Sequence, residues 1–317
     1  MSLPIPVAGN YPQYSSAHAS KYTPVIYAKK LLLKFYDKTV FGEIAQRDYE
    51  GEIKTQGDTV LIRTRPDIAI ADYTRNMDLN AARQFSEPSA VELTIDKAKF
   101  YSVGLDAIDE RQFDINALDE WASDASEAMG ITIDKDVLAN IYTEVDSNNT
   151  GLTAGLISSS YNMGTTGAPL VLTKANVLDF IADAASVLSE QAVPESAGRW
   201  MVLPNIICNR LKKSDLRSAL FTGDSSNQTL RNGRIGEIDN FMIYKSNNLT
   251  AASGSGATSV WPLMFGHVGA LTFASQLIKE RKIELQNTFG QALEGLQVYG
   301  YKVVNPKYMG TGYAQAG

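Results

Sequence analysis

The segment from residue 51 to residue 96 constrains this chain more than any other. GDTVLIRTR, Gly57 to Arg65, alternates apolar and polar residues as a strand with one covered face does. Val60, Ile62 and Thr64 point to one side; Leu61, Arg63 and Arg65 point to the other. A second strand, AVELTIDKA, starts near Ala90, and the polar stretch between them contains Pro66 and Pro88. Read together, 51–96 is a long β-hairpin with an irregular tip. Each arm reaches about 20 residues, or roughly 60 Å at ~3.3 Å per residue. Such a ribbon holds too few apolar side chains for a core of its own, and isolated two-stranded hairpins are marginal in water. It must lie on its own domain or on another subunit.

The flanking segments are of other kinds. Residues 1–22 are rich in Pro, Ser, Ala and Tyr without a sustained period, and read as an extended arm. Thr23–Pro24 starts a helix through Val25, Ala28, Leu32 and Phe35. After strand-like residues to about Ile108, a long helix is predicted from Asn116 to Tyr142, about 40 Å at 1.5 Å per residue. Leu118, Trp121, Ala125, Met129, Ile133, Val137 and Ile141 form its apolar stripe. Glu120, Asp124, Glu127 and Asp134 occupy the other face, either solvated or serving as a docking rail for a basic partner. Turn-rich residues 146–169 mark a boundary.

Thr173 then caps a helix through Gln191, WMVL (200–203) is a short buried strand, and Pro204 opens a further helix. RIGEIDNFMIYKS reads as a hairpin turning at Asp239–Asn240, and 252–259 as a flexible tip. Three strand segments end the pattern: 265–276, 279–286 and 295–304, with a turn at Asn287–Gly290 between the last two. Helices and strands mix without regular βαβ repeats, so the fold class is α+β.

Composition narrows function by exclusion. The net charge of −6 argues against tight binding of nucleic acid, which needs clustered Lys and Arg. It is compatible with a container wall, since an acidic inner face leaves DNA mobile. No apolar run is long enough for a membrane span, and the N-terminus lacks the pattern of a signal peptide. The single cysteine, Cys208, reads as a small buried hydrophobe and fits a reducing compartment. Of the two histidines, His18 lies in the arm and His267 in an apolar strand, as a satisfied core or edge residue. The acids are scattered over helix surfaces, and the glycines of GSGATS follow no phosphate-loop pattern. No catalytic, cofactor or metal site is expected. What remains is a folded body with a loose arm, an unsupported hairpin and flexible tips, each of which neighbours would satisfy.

In this order those features resemble the major capsid proteins of tailed bacteriophages, over roughly 23–306. GDTVLIRTR through AVELTIDKAKFYSVGLDAID matches that family's extended E-loop, and 116–142 its long spine helix. RWMVLP with LRNGRIGEIDNFMIYKSNNL (230–249) matches its axial domain. FGHVGALTFASQ and NTFGQALEGLQVYGYKVVNP (287–306) match the return to its peripheral domain. The resemblance implies an HK97-like fold. Its parts would be an N-terminal arm and first helix (1–50), E-loop (51–96), peripheral domain with spine helix (97–170), axial domain (171–278), and C-terminal peripheral strands and tail (279–317).

It also implies a shell subunit that does no chemistry and assembles as hexamers and pentamers into an icosahedral head. The head encloses double-stranded DNA without sequence-specific binding. A portal protein and a separate scaffolding protein are the implied partners, because no scaffolding domain of about a hundred residues precedes the arm. The protein would reside in the virion, after assembly in the host cytoplasm. The axial loops 216–233 and 252–259 would meet their mates around the symmetry axes. Asn287, Thr288 and Phe289 would approach the three-fold contacts, and Arg63 and Arg65 would pair with a neighbour's Glu120, Asp124 or Glu127. Lys54 lies in the loop's first arm, but no cross-link is expected. Two alternatives stay open: the shell of a cellular nanocompartment, and a soluble α+β enzyme.

Overall fold

The computed structural model describes residues 37–48, 59–66, 68–78, 80, 83, 85, 90–108, 117–195, 198–214, 237–254, 259–286 and 288–317. The expected arm and first helix (1–35), Lys54 and the loop 216–233 lie outside them. In chain order the elements are helix α1 (Phe41–Ile44), strands β1 (Thr59–Arg63), β2 (Ala90–Thr94) and β3 (Lys97–Asp106), and the long helix α2 (Ala117–Asn140). Strand β4 (Leu170–Leu172), α3 (Val177–Glu190), β5 (Arg199–Pro204), α4 (Asn205–Lys212), β6 (Glu237–Ile238) and β7 (Phe241–Ser246) follow. The chain ends with β8 (Trp261–His267), β9 (Leu271–Glu284), β10 (Gly290–Val303) and β11 (Met309–Ala316). The strands form a two-stranded sheet β1-β2, a three-stranded sheet β3-β10-β9 and a six-stranded sheet β4-β11-β8-β5-β7-β6.

The hairpin pairs antiparallel from Thr59↔Thr94 to Arg63↔Ala90. Its alternation is the expected one: Ile62 is buried and Leu61 exposed. Ile62, Leu93 and Ile95 pack on Ala274, Val298 and Val304 of the main body, so the foot of the ribbon has its own support. The paired strands are 5 residues long, much shorter than the arms expected. The described residues between Arg63 and Ala90 adopt no strand. Pro66 lacks a ladder donor, and Ile68, Ile70, Tyr73 and Phe85 past it are exposed.

β5 explains the layering. Its residues are buried throughout. Met201 and Leu203 join a core with Phe180, Leu188, Ile207 and Leu211 from α3 and α4. Trp200 and Val202 join a second core with Ile133, Val137, Leu138 and Ile141 of α2 and its extension. A strand covered on both faces reads as a continuous apolar run, as WMVL does. The second core also takes in Phe273, Tyr299 and Val303, which joins the three-stranded sheet to the six-stranded one.

Several boundaries differ from expectation. α3 starts at Val177, not at Thr173: the Asn176 side chain accepts from the Thr173 amide at 2.7 Å, and this turn precedes the helix. The segments 265–276 and 279–286 do not stand apart. β9 runs on to Glu284 because β10 pairs along it, with a bulge at Gln276 where the register shifts. Residues expected as a tail form β11, held between β8 and β4. The hairpin turn at Asp239–Asn240 is as read, with both residues at positive φ (49° and 61°), the geometry of a two-residue turn. Asp134, placed by spacing on the solvated face of the long helix, is fully buried.

Candidate assembly surfaces

Two carboxylates one half-turn apart fix α2 to the rest of the molecule. Asp134 accepts from the Val40 and Phe41 amides (3.0 and 2.8 Å) and from Asn248 Nδ2 (2.7 Å). It thereby ties the start of α1 and the loop after β7 to the helix. Three donors offset the cost of burying a carboxylate, which would be several kcal/mol unpaired. Asp136, on the side of the three-stranded sheet, takes the Tyr299 hydroxyl at 2.9 Å and Lys97 Nζ at 3.2 Å. Asn140 Nδ2 and Lys97 Nζ both donate to the Tyr301 hydroxyl. Burial, then the Asp136 carboxylate, hold the Tyr299 hydroxyl well above its usual range. Arg199 is a third buried anchor. It donates to the Val193 and Pro194 carbonyls and to Ser189 Oγ, closing the C-terminal end of α3 onto β5. Spacing alone could not find these residues, because their partners lie far away in sequence or are peptide groups.

Among the described residues, large apolar side chains stand exposed in groups. On the hairpin, Ile70 is 98% and Phe85 88% exposed, with Leu61, Ile68 and Tyr73 also open. At the far end of the three-stranded sheet Phe289 is 91% exposed. The Ala107 amide donates to the Phe289 carbonyl at 2.8 Å, which brings exposed Ile108 to the same tip. Gly290 permits this closure, since a Cβ there would run into the Leu105 carbonyl oxygen. Grouped exposure of this kind marks surfaces that a partner covers.

The sequence-derived interface residues fall on three elements. Arg63 and Arg65 are exposed on the hairpin. Glu120 and Glu127 are exposed and Asp124 half-buried on α2. Thr288 and Phe289 share the β9–β10 tip; Asn287 lies outside the described residues. One subunit therefore gathers the tip residues but carries the arginines and the acids on separate elements. The other two residues weighed for chemistry are structural. Cys208 lies in the core and burial pushes its thiol up to about 11. His267 is half-buried, accepts from the Gly269 amide at 3.1 Å and meets Tyr308 edge-on. Among the described residues no three metal-ligating side chains gather.

A sequence profile described as phage capsid protein matches residues 89–310. The chain belongs to that family. It is a major capsid protein, the structural subunit of a phage shell, and its fold is HK97-like. The capsid protein is similar to a chain from Mycobacterium phage Che8, with 25% identity and a TM-score of 0.70 over 92% of this chain and 97% of that one. It shares its fold with the capsid structure of the cyanophage P-SCSP1u, at 14% identity and a TM-score of 0.70, over 100% and 99% of the two chains. The same holds for the mature capsid of bacteriophage PhiM1, at 13% identity and a TM-score of 0.66, over 96% of each chain. A comparison with curated protein sequences finds no match.

Proposed function

We propose that this capsid protein builds an icosahedral head from hexamers and pentamers around double-stranded DNA, and that its hairpin reaches across the adjacent subunit. The observation that carries the reading is the hairpin itself: its foot is seated on its own body while Ile70 and Phe85, further out, are almost wholly exposed. A neighbour beneath them removes that apolar surface from water at about 25 cal/mol per Å². Arg63 and Arg65 then face the neighbour's Glu120, Asp124 or Glu127, where partial desolvation makes each pair worth more than a surface pair of under ~1 kcal/mol. The Thr288–Phe289 tip meets its mates at the three-fold positions. Interfaces on the order of 2,000–5,000 Å² suit such an obligate assembly. The net charge of −6 fits DNA that is enclosed without being gripped.

The chain's work is assembly rather than catalysis, in the virion, after assembly in the host cytoplasm with a separate scaffolding protein and a portal. Deleting 67–87 tests the reading. The shortened subunit keeps its circular dichroism and unfolding transition but yields no shells by negative-stain electron microscopy. Shells of ordinary size from the deletion variant would overturn the role given to the hairpin.

A further inference from the structure

Residues 37–46 run from the six-stranded sheet to the three-stranded one. At the near end Asn247 Nδ2, just past β7, donates to Asp37 Oδ1 at 2.8 Å. In the middle Asp134 of α2 accepts from the Val40 and Phe41 amides, and Val40, Ile44 and Ala45 are buried in the second core. Phe41 packs on Phe273 of β9, with ring centroids 4.8 Å apart. At the far end the Gln46 amide donates to the Leu271 carbonyl at 2.8 Å, and the Gln46 carbonyl accepts from the Phe273 amide at 3.0 Å. The segment is a strap with a separate anchor on each sheet.

What it spans is a narrow crossing. Among the described elements two connections pass directly between the sheets, β8 to β9 through 268–270 and β10 to β11 through 304–308. They lie side by side, since the Val304 and Asn305 amides both donate to the Ala270 carbonyl (2.8 and 3.3 Å). A few residues at the ends of elements are what a hinge between two packed bodies uses to absorb its backbone change. The far anchor of the strap, Leu271 to Phe273, sits immediately beyond this crossing. The near anchor sits well away from it. Phe241 is level with His267 through Arg199, and β7 then runs from Phe241 towards Asn247, about 20 Å at ~3.3 Å per residue. A link fixed on both sides of a hinge and offset from its axis resists bending, whereas a contact on the axis does not.

Resting on the capsid assembly proposed above, we infer that the strap 37–46 is a brace that sets the angle between the two sheets and, through that angle, the curvature of the shell. One kind of subunit serves every position of such a shell. Its crossing must yield enough to fit them all, and the brace limits how far it yields.

Particle size tests the inference. Asp37 and Asn247 are both exposed, and the one native cysteine, Cys208, is buried. Asp37→Cys/Asn247→Cys, left open, lacks the near anchor. Under conditions that give shells from the unmodified chain, it is expected to lose their single diameter and to yield mixed diameters or open sheets by negative-stain electron microscopy. The same variant, closed within each subunit by a short bismaleimide before assembly, should regain that diameter. Gln46→Pro removes the amide donor of the far anchor and should show the same spread, with its unfolding transition in urea retained. If Gln46→Pro does not fold, the cysteine pair alone decides. The ordinary diameter from the open variant would overturn the brace, and so would a closed form that fails to regain it. Neither result touches the capsid assembly, which falls only if the unmodified chain forms no shells.

Discussion

Asn248 donates its amide to Asp134 across 2.7 Å, and both side chains are shut off from solvent. One hydrogen bond thus connects the loop that leaves β7 with the middle of the long helix. The same carboxylate holds the Val40 and Phe41 amides. Asp134→Ala strands all three donors in the interior, and each unsatisfied buried group costs about 1–3 kcal/mol. The subunit is expected to lose about 3 kcal/mol or more in urea unfolding, while Glu120→Ala on the exposed part of the helix changes stability by under ~0.5 kcal/mol. Equal effects from the two would contradict the assignment of Asp134 as a joint.

Gly300 supports the hairpin foot. A Cβ at this position would run into the Thr94 carbonyl oxygen, at the end of β2. Gly300→Ala forces the two strands apart and is expected to destabilise the subunit by about 1–3 kcal/mol. The effect should concentrate at the foot, as faster amide exchange in 59–63 and 90–94. Unchanged protection there would refute the close-packing account.

Alkaline sensitivity follows from the tyrosines. Burial first, then the hydrogen bond to Glu280, push the Tyr101 hydroxyl up to about 12. Burial likewise raises Tyr244, Tyr299, Tyr301 and Tyr313. These groups hold their protons more tightly when folded than in the unfolded chain, where tyrosine titrates near 10. Their contribution is therefore complete below about pH 10 and disappears as pH rises through the folded values. Denaturation midpoints should fall gently towards pH 9, where the buried Cys208 thiol starts to lose its own contribution, and more steeply between 10 and 12, with a shallower fall for Tyr101→Phe. A level profile up to pH 12 would be inconsistent with this origin.

Phe289 separates folding from assembly. It is 91% exposed in the subunit, so Phe289→Ser should move the unfolding midpoint by under ~0.5 kcal/mol. Shell yield by sedimentation should nevertheless drop sharply, because a contact of several subunits repeats the loss at every site. Normal yields would remove the tip from the interface.

Elements whose signal is local were legible in the sequence. The Asp239–Asn240 turn, the β1–β2 alternation and the long helix each rest on neighbouring residues, and each formed where periodicity placed it. What depends on distant partners was not. Asp134 shares its spacing with Glu127, and only its distant donors, the Val40 and Phe41 amides and Asn248, distinguish a buried carboxylate from a solvated one. The unity of β9 depends on β10 lying beside it. Of the residues proposed for the interface, Arg63 and Arg65 on the strand and Glu120 and Glu127 on the helix are exposed as their spacing suggested, while Asp124 is half-buried. The surface each of them is proposed to meet belongs to another copy, and spacing does not encode it.

The position of β11 sets a timetable for synthesis. Leu170 pairs with Ala314, and Trp261 pairs with the same residue from the other side. The six-stranded sheet therefore keeps a gap between β4 and β8 until β11, the last of its strands in chain order, has been made. Local pairs such as β1–β2 can close early; the six-stranded sheet closes late. Such an order would discourage half-made subunits from entering a growing shell.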